Sequence, residues 1–206
     1  MNTICDQTAK HSTPLPTREG QGGESVGGES VGGESVGEES ILRILSVVDD
    51  TTVDGPGFRT SIYCAGCTHH CPGCHNPQSW AADGGRETTV EELMAVIEAD
   101  PFAPGVTFTG GDPMQQPEGF AQLARAIRAG TTKNIWCYTG YTFEALLNMP
   151  AQRTLLELVD VLVDGPFIEA QRDTDLLFRG SANQRLIDVP RSLETGHVVL
   201  WSRNPL

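Results

Sequence analysis

Positive charge is scarce in this chain of 206 residues: Lys and Arg total 14 against 27 Asp and Glu, a formal net charge of −13. Such a surface repels a polyphosphate backbone, which excludes nucleic acid as the expected partner and favours a protein or a small molecule. Long apolar runs are missing as well, and no stretch approaches the roughly 18 residues that a membrane-crossing helix needs. Met1 to Lys10 shows no basic segment leading into an apolar one, so no secretory leader is read there. The expectation is a cytoplasmic protein with no membrane attachment. Nor is there a recognisable Ser-His-Asp or Cys-His arrangement. Cysteine is present but oddly distributed: of six, four fall between Cys64 and Cys74, while Cys5 and Cys137 stand apart. In a reducing compartment, that crowding reads as ligation and not as disulfides.

The length suits one domain plus a tail, since domains commonly run about 100 to 200 residues. From Gly22 to Val36 the pentapeptide Gly-Gly-Glu-Ser-Val occurs three times, followed by a broken copy at Gly37 to Ser40. One valine per five residues buries too little apolar area to offset chain entropy, and the period is too short for a solenoid unit. Residues 1–40 therefore read as a disordered acidic tail, and residues 41–206 as the folded domain.

Strand and helix signals alternate through that domain. Ile41 to Val48 is an apolar run of strand length, ending at Asp49-Asp50, and Thr60 to Tyr63 follows through the tight Val53-Asp54-Gly55-Pro56-Gly57 loop. Thr88 or Thr89, with Glu three residues on, opens a helix as a capping box. Gly105 to Thr109 reads as a strand broken by Gly110-Gly111-Asp112-Pro113. A helix from about Pro117 to Ala129 carries Phe120, Leu123, Ala124 and Ile127 on one stripe, with Gly130 as its C-cap. Asn134 to Thr139 and Val159 to Val163 are the later strands, with short helices from Thr142 to Leu147 and from Gln152 to Leu158 between them. The alternation implies an α/β fold with a mostly parallel sheet, its ligand-binding loops on one rim. There are too few units for a complete eight-fold barrel, which leaves a partial barrel or an open sheet.

Cys67, Cys71 and Cys74 follow a C-x3-C-x2-C spacing on the loop that leaves the strand Thr60 to Tyr63. A 4Fe-4S cluster takes one thiolate per iron, so three thiolates leave one iron open. A structural zinc site would use Cys64 as well, but its paired knuckles are normally separated by roughly 12 to 20 residues. Here only Thr68, His69 and His70 intervene. Cys64, at the strand's end, reads as part of the core wall. His69, His70 and His75 read equally as shields of a cluster or as solvent-facing side chains. Gly110 and Gly111, lacking Cβ, would let backbone approach a cofactor.

Read together, Val53 to Gly57, Cys71-Pro72-Gly73-Cys74, Thr107 to Pro113, Tyr138 to Tyr141, Asp160 to Gly165 and Arg179 to Arg185 resemble the anaerobic ribonucleoside-triphosphate reductase activating proteins. These are radical S-adenosylmethionine (SAM) enzymes. The resemblance implies a partial (β/α) barrel of the radical SAM type, with a 4Fe-4S cluster and SAM as cofactors. It assigns Cys67, Cys71 and Cys74 to the cluster, Gly110, Gly111 and Asp112 to the methionine amino group, and Gly73, Cys74 and His75 to the adenine. Tyr138, Thr139 and Asp164 end later strands on the same rim and are further SAM contacts, although Tyr138 reads equally as core and Asp164 as a turn residue. Arg179 and Arg185 serve acidic groups of cofactor or partner, or surface ion pairs. The wider superfamily usually has an aromatic residue where this chain has Gly73, and the activating proteins accept the glycine.

The implied activity is reductive cleavage of SAM, with an electron from a flavodoxin-like donor, to generate a glycyl radical on the reductase. No general base is required for that. The chain leaves little sequence for a lid, so the reductase is expected to close the site. Activation of another glycyl-radical enzyme such as formate lyase, radical chemistry on a small molecule and a zinc-binding module are the alternatives.

Overall fold

The computed structural model describes residues 40–202. The expected tail lies, Ser40 apart, outside the described residues. Ser40 itself donates its backbone N–H to Oε1 of Gln122 at 2.8 Å.

Strands β1 (Ile41–Thr51) and β2 (Arg59–Cys64) run antiparallel, joined through the Gly55-Pro56-Gly57 turn. Strands β4 (Gly105–Gly110), β5 (Asn134–Tyr138) and β6 (Val161–Asp164) continue from β2 in parallel. Strands β3 (Arg86–Thr89) and β7 (Arg185–Asp188) flank this centre antiparallel to β1 and β6. The order is β3-β1-β2-β4-β5-β6-β7, one mixed seven-stranded sheet with β3 and β7 at its edges.

The parallel centre matches the alternating sequence pattern. The antiparallel edges do not show in it, because Arg-Glu-Thr-Thr and Arg-Leu-Ile-Asp are four-residue stretches rich in polar groups, with no apolar run to mark them. Helix α5 (Val189–Thr195) is likewise hidden by its short length and by Pro190 in its first turn.

Helices α1 (Val90–Ala99), α2 (Pro117–Gly130), α3 (Phe143–Leu146) and α4 (Pro150–Leu156) pack on one face of the sheet. Phe120, Leu123, Ala124 and Ile127, the stripe read from sequence, lie fully buried there against Ile62, Phe108, Ile135 and Leu162. Gly130 is the last residue of α2 and not its cap. Thr131 caps the helix, its N–H donating to the carbonyl of Ile127 at 2.9 Å. The other face of the sheet carries a smaller cluster of Trp136, Val161, Val163 and Leu186, joined by Tyr138, Phe178 and Trp201.

At the N-terminal ends of the parallel strands, Arg59 is completely buried. Its guanidinium donates to Thr107 Oγ1 at 2.7 Å, Asn134 Oδ1 at 2.8 Å and the Val106 carbonyl at 2.8 Å, and lies over the Trp136 ring. Burial pulls its pKa down to about 10, which still leaves it charged at neutral pH. A Cβ on Gly105 would come within 2.4 Å of that guanidinium, so the glycine makes the room for it. The charged plug closes the end of the sheet opposite the cysteine loop.

The α1 capping box is fully formed. Thr89 Oγ1 accepts from Glu92 N–H at 3.1 Å, and the Glu92 carboxylate accepts from Thr89 N–H at 3.0 Å. Thr89→Ala should cost about 1 kcal/mol of stability, with Thr89→Ser losing little; urea denaturation midpoints of the two variants check it.

Candidate functional site

The C-terminal ends of β2, β4, β5 and β6 share one rim, and the cysteine loop leaves it directly after Cys64. Within β2, Ile62 and Cys64 point to the helical face, so Cys64 is fully buried in the core cluster, and burial pushes its thiol pKa well up. A buried strand-end thiol is the place expected for it. Gly66, at φ +91°, turns the chain out of the strand register, and Cys67, Cys71 and Cys74 beyond it are half-exposed and free of disulfides.

Two of those thiols already meet N–H groups. Cys74 Sγ accepts from Asn76 N–H at 3.4 Å, and burial raises the Cys67 thiol pKa, an effect that the backbone N–H groups of His69 and His70 only partly offset. The thiolate is the form that binds iron. Among the described residues no three His, Cys, Asp or Glu side chains converge as a single metal ion requires. A cluster asks for something different, one thiolate on each of several irons.

The loop is seated by hydrogen bonds of its own backbone. Gly66 N–H donates to the Ser79 carbonyl at 2.8 Å and Cys67 N–H to that of Trp80 at 3.2 Å. Gly111 N–H reaches the Cys64 carbonyl at 2.7 Å, and Asp112 N–H the Gly66 carbonyl at 2.8 Å. Asn76 Nδ2 and Ser79 Oγ both donate to the Gly110 carbonyl at 3.1 Å, while Gln116 Nε2 holds the Ala65 carbonyl at 3.0 Å. Asn76, Ser79 and Gln116 are site residues that the sequence reading missed. The signal for Asn76 and Ser79 was a polar run, Asn-Pro-Gln-Ser, following a cysteine motif, informative only once both are seen to be buried, and Gln116 had no such signal.

Gly110 and Gly111 stand at the turn as expected, but the space they leave open is filled by protein. A Cβ on Gly110 would lie 2.5 Å from Cys64 N, and one on Gly111 would lie 2.3 Å from the Gly66 oxygen. The glycines let two chain segments approach each other. Gly73, at φ +73°, faces the Glu169 carboxyl group, which an added Cβ would meet at 2.8 Å. An aromatic side chain there would face both a left-handed backbone and this collision.

Asp112 is buried, and its carboxylate accepts from His69 Nε2 at 2.7 Å, Thr139 Oγ1 at 2.9 Å, Gly140 N–H at 3.0 Å and Met114 N–H at 2.9 Å. All of these partners are protein groups. His69 is thereby drawn into the structure, whereas His70 and His75 are exposed, His70 lying edge-on to Trp80. Tyr138 donates its hydroxyl to the Phe178 carbonyl at 2.9 Å. Asp164 is buried, accepts from Phe143 N–H at 2.8 Å and pairs with Arg185, which also holds Glu144 through two hydrogen bonds. These charge-assisted bonds push the Arg185 pKa up and hold that of Glu144 down. Arg185 thus forms ion pairs within the chain. The segment between β6 and β7, residues 165–184, stands on the same rim as the cysteine loop, with Glu169 against Gly73, so one side of the rim is occupied by the chain itself.

The family model described as "4Fe-4S single cluster domain" matches residues 53–187. An anaerobic ribonucleoside-triphosphate reductase-activating protein from Vibrio cholerae is 40% identical over 139 residues, covering 64% of this chain and 88% of its own length. The protein of that name from Escherichia coli is 36% identical over 139 residues, covering 64% and 89%. This chain belongs to the family of anaerobic ribonucleoside-triphosphate reductase-activating proteins. Enterobacteria phage T4 carries another relative, 39% identical over 140 residues, covering 65% of this chain and 86% of that one. As a member of this family the chain carries a domain of the 4Fe-4S single-cluster type, and the match spans the cysteine loop and the Gly110–Gly111 turn.

Gly111→Ala should unseat the loop, since backbone atoms cannot yield as a flexible side chain can. Iron and sulfide per chain after anaerobic reconstitution should fall severalfold. Gly196→Ala, where no atom lies within 4 Å, should leave both unchanged, its cost being confined to the left-handed cap of α5 at φ +73°.

Proposed function

We propose that this chain activates an anaerobic ribonucleoside-triphosphate reductase, as the names of its relatives say of them, by generating a glycyl radical on it, and that Cys67, Cys71 and Cys74 hold the cluster. The observation that supports this most is the separation of the four neighbouring thiols. Three stand half-exposed on one loop with N–H donors directed at two of them, and the fourth is sealed in the core. The donor set fits a cluster with one iron free of protein thiolate. With the cluster and SAM bound, they supply one-electron reductive cleavage of the sulfonium, and the hard chemistry belongs to them.

The chain's own residues orient and exclude water. The Gly110–Gly111 turn fixes the loop to the sheet, and the segment 165–184 shields one flank. The methionine end of SAM is assigned to the turn at Gly110 and Gly111, beside Asp112, and the adenine to the backbone of Gly73, Cys74 and His75. Tyr138 and Asp164, tied to Phe178 and Arg185, shape the far side of the same rim. The reductase closes what remains open. A flavodoxin-like protein is the proposed electron donor, and the cytoplasm, where free thiols persist, the proposed compartment. Among the described residues no helix is long and apolar enough to cross a membrane.

Mixing this protein with the reductase, SAM and reductant without oxygen should produce a glycyl-radical doublet by electron paramagnetic resonance. No doublet with the reductase, but one with formate lyase, would shift the assignment to that sister activity. Cys67→Ala should lose the cluster's iron and sulfide, whereas Cys64→Ala should keep both, its cost being only that of a small cavity.

A further inference from the structure

The Asp112 carboxylate sits where the resemblance places a cofactor ligand, yet it is buried and both its oxygens are already engaged by the chain. Oδ1 accepts from Met114 N–H, and Oδ2 accepts from His69, Thr139 and Gly140 together. A carboxylate is acceptor-only, so His69 Nε2 carries the hydrogen. His69 lies between Cys67 and Cys71, and its ring is held on further sides. Tyr141 meets it edge-on at 4.6 Å between centroids, and a Cβ on Gly140 would strike the ring at 2.4 Å. One carboxylate thus joins the cysteine loop to the ends of β4 and β5.

We infer that Asp112 is a positioning residue that acts through His69, locking the cysteine loop to the strand ends, and that it does not itself hold the ammonium of SAM. The inference rests on the reading that Cys67, Cys71 and Cys74 carry the cluster. Asp112→Asn turns one acceptor into a donor facing other donors. His69→Ala removes the loop's side of the lock, and Gly140→Ala displaces the ring without changing any polar group. His69→Gln can still donate to Asp112.

The test uses the full chain, purified and reconstituted without oxygen. SAM affinity is read by titrating the change that SAM causes in the electron paramagnetic resonance signal of the reduced cluster, and loop order by hydrogen exchange over residues 65–80. His69→Ala, Gly140→Ala and Asp112→Asn should each weaken SAM binding and speed exchange by about tenfold, the scale of one hydrogen bond to a charged group. The double variant of His69→Ala and Asp112→Asn should be no worse than either single one, and His69→Gln should stay near wild type. Asp112→Asn losing SAM affinity while His69→Ala and Gly140→Ala keep it would overturn the inference, as would a double variant that multiplies the single losses. If the wild-type chain takes up no iron, the cluster reading fails, and exchange alone decides the lock: faster in both His69→Ala and Gly140→Ala supports it, unchanged in both overturns it.

Discussion

The Asp112 carboxylate gathers four donors from three places: Met114 just after β4, Thr139 and Gly140 just after β5, and His69 on the cysteine loop. An ionised carboxylate removed from water costs several kcal/mol unless its lone pairs are met, and each charge-assisted bond returns about 1.5–3 kcal/mol. The balance is favourable only when the donors arrive together. The carboxylate therefore couples the positions of two strand ends and the loop, because moving one leaves the charge short of partners.

The same coupling continues along the backbone. Gly110 and Gly111 bring the end of β4 so close to Cys64 and Gly66 that no Cβ fits between them, and N–H groups of Gly111 and Asp112 bond back to the carbonyls of Cys64 and Gly66. From the other side, Asn76 and Ser79 close on the Gly110 carbonyl. The cysteine loop is thus gripped at its start by the glycine turn, in its middle through His69, and at its end by Asn76 and Ser79. The three thiols stand half-exposed between these grips.

Much of this architecture could be read from residue order, and the failures have physical causes. The parallel centre, the α1 capping box and the buried stripe of α2 follow from local pattern, since apolar spacing and cap chemistry act over a few residues. The edge strands Arg86–Thr89 and Arg185–Asp188 are held by pairing with distant strands, which short polar segments do not announce. The glycines at positions 110 and 111 read as room for backbone to approach a cofactor, and in the fold that room is filled by the backbone of Cys64 and Gly66, since a sequence does not say what approaches. His69 offered no periodicity to judge by, and its role depends on Asp112, which is 43 residues away in the chain. Long-range polar contacts between loops are the part of a site least visible in sequence.

Cys64 and Cys67 are three residues apart and have opposite fates, and the strand explains why. Alternation along β2 commits Ile62 and Cys64 to the helical face, where desolvation disfavours a thiolate and the core leaves no room for an iron. Release from that alternation comes at Gly66, whose left-handed backbone turns the chain away from the sheet before Cys67. The number of thiolates the loop can offer is thus decided by where the strand ends and not by how many cysteines surround it. A fourth thiol lies within sight in the sequence and out of reach in the fold, and a cluster seated on the remaining three keeps one iron for a ligand that the protein does not supply.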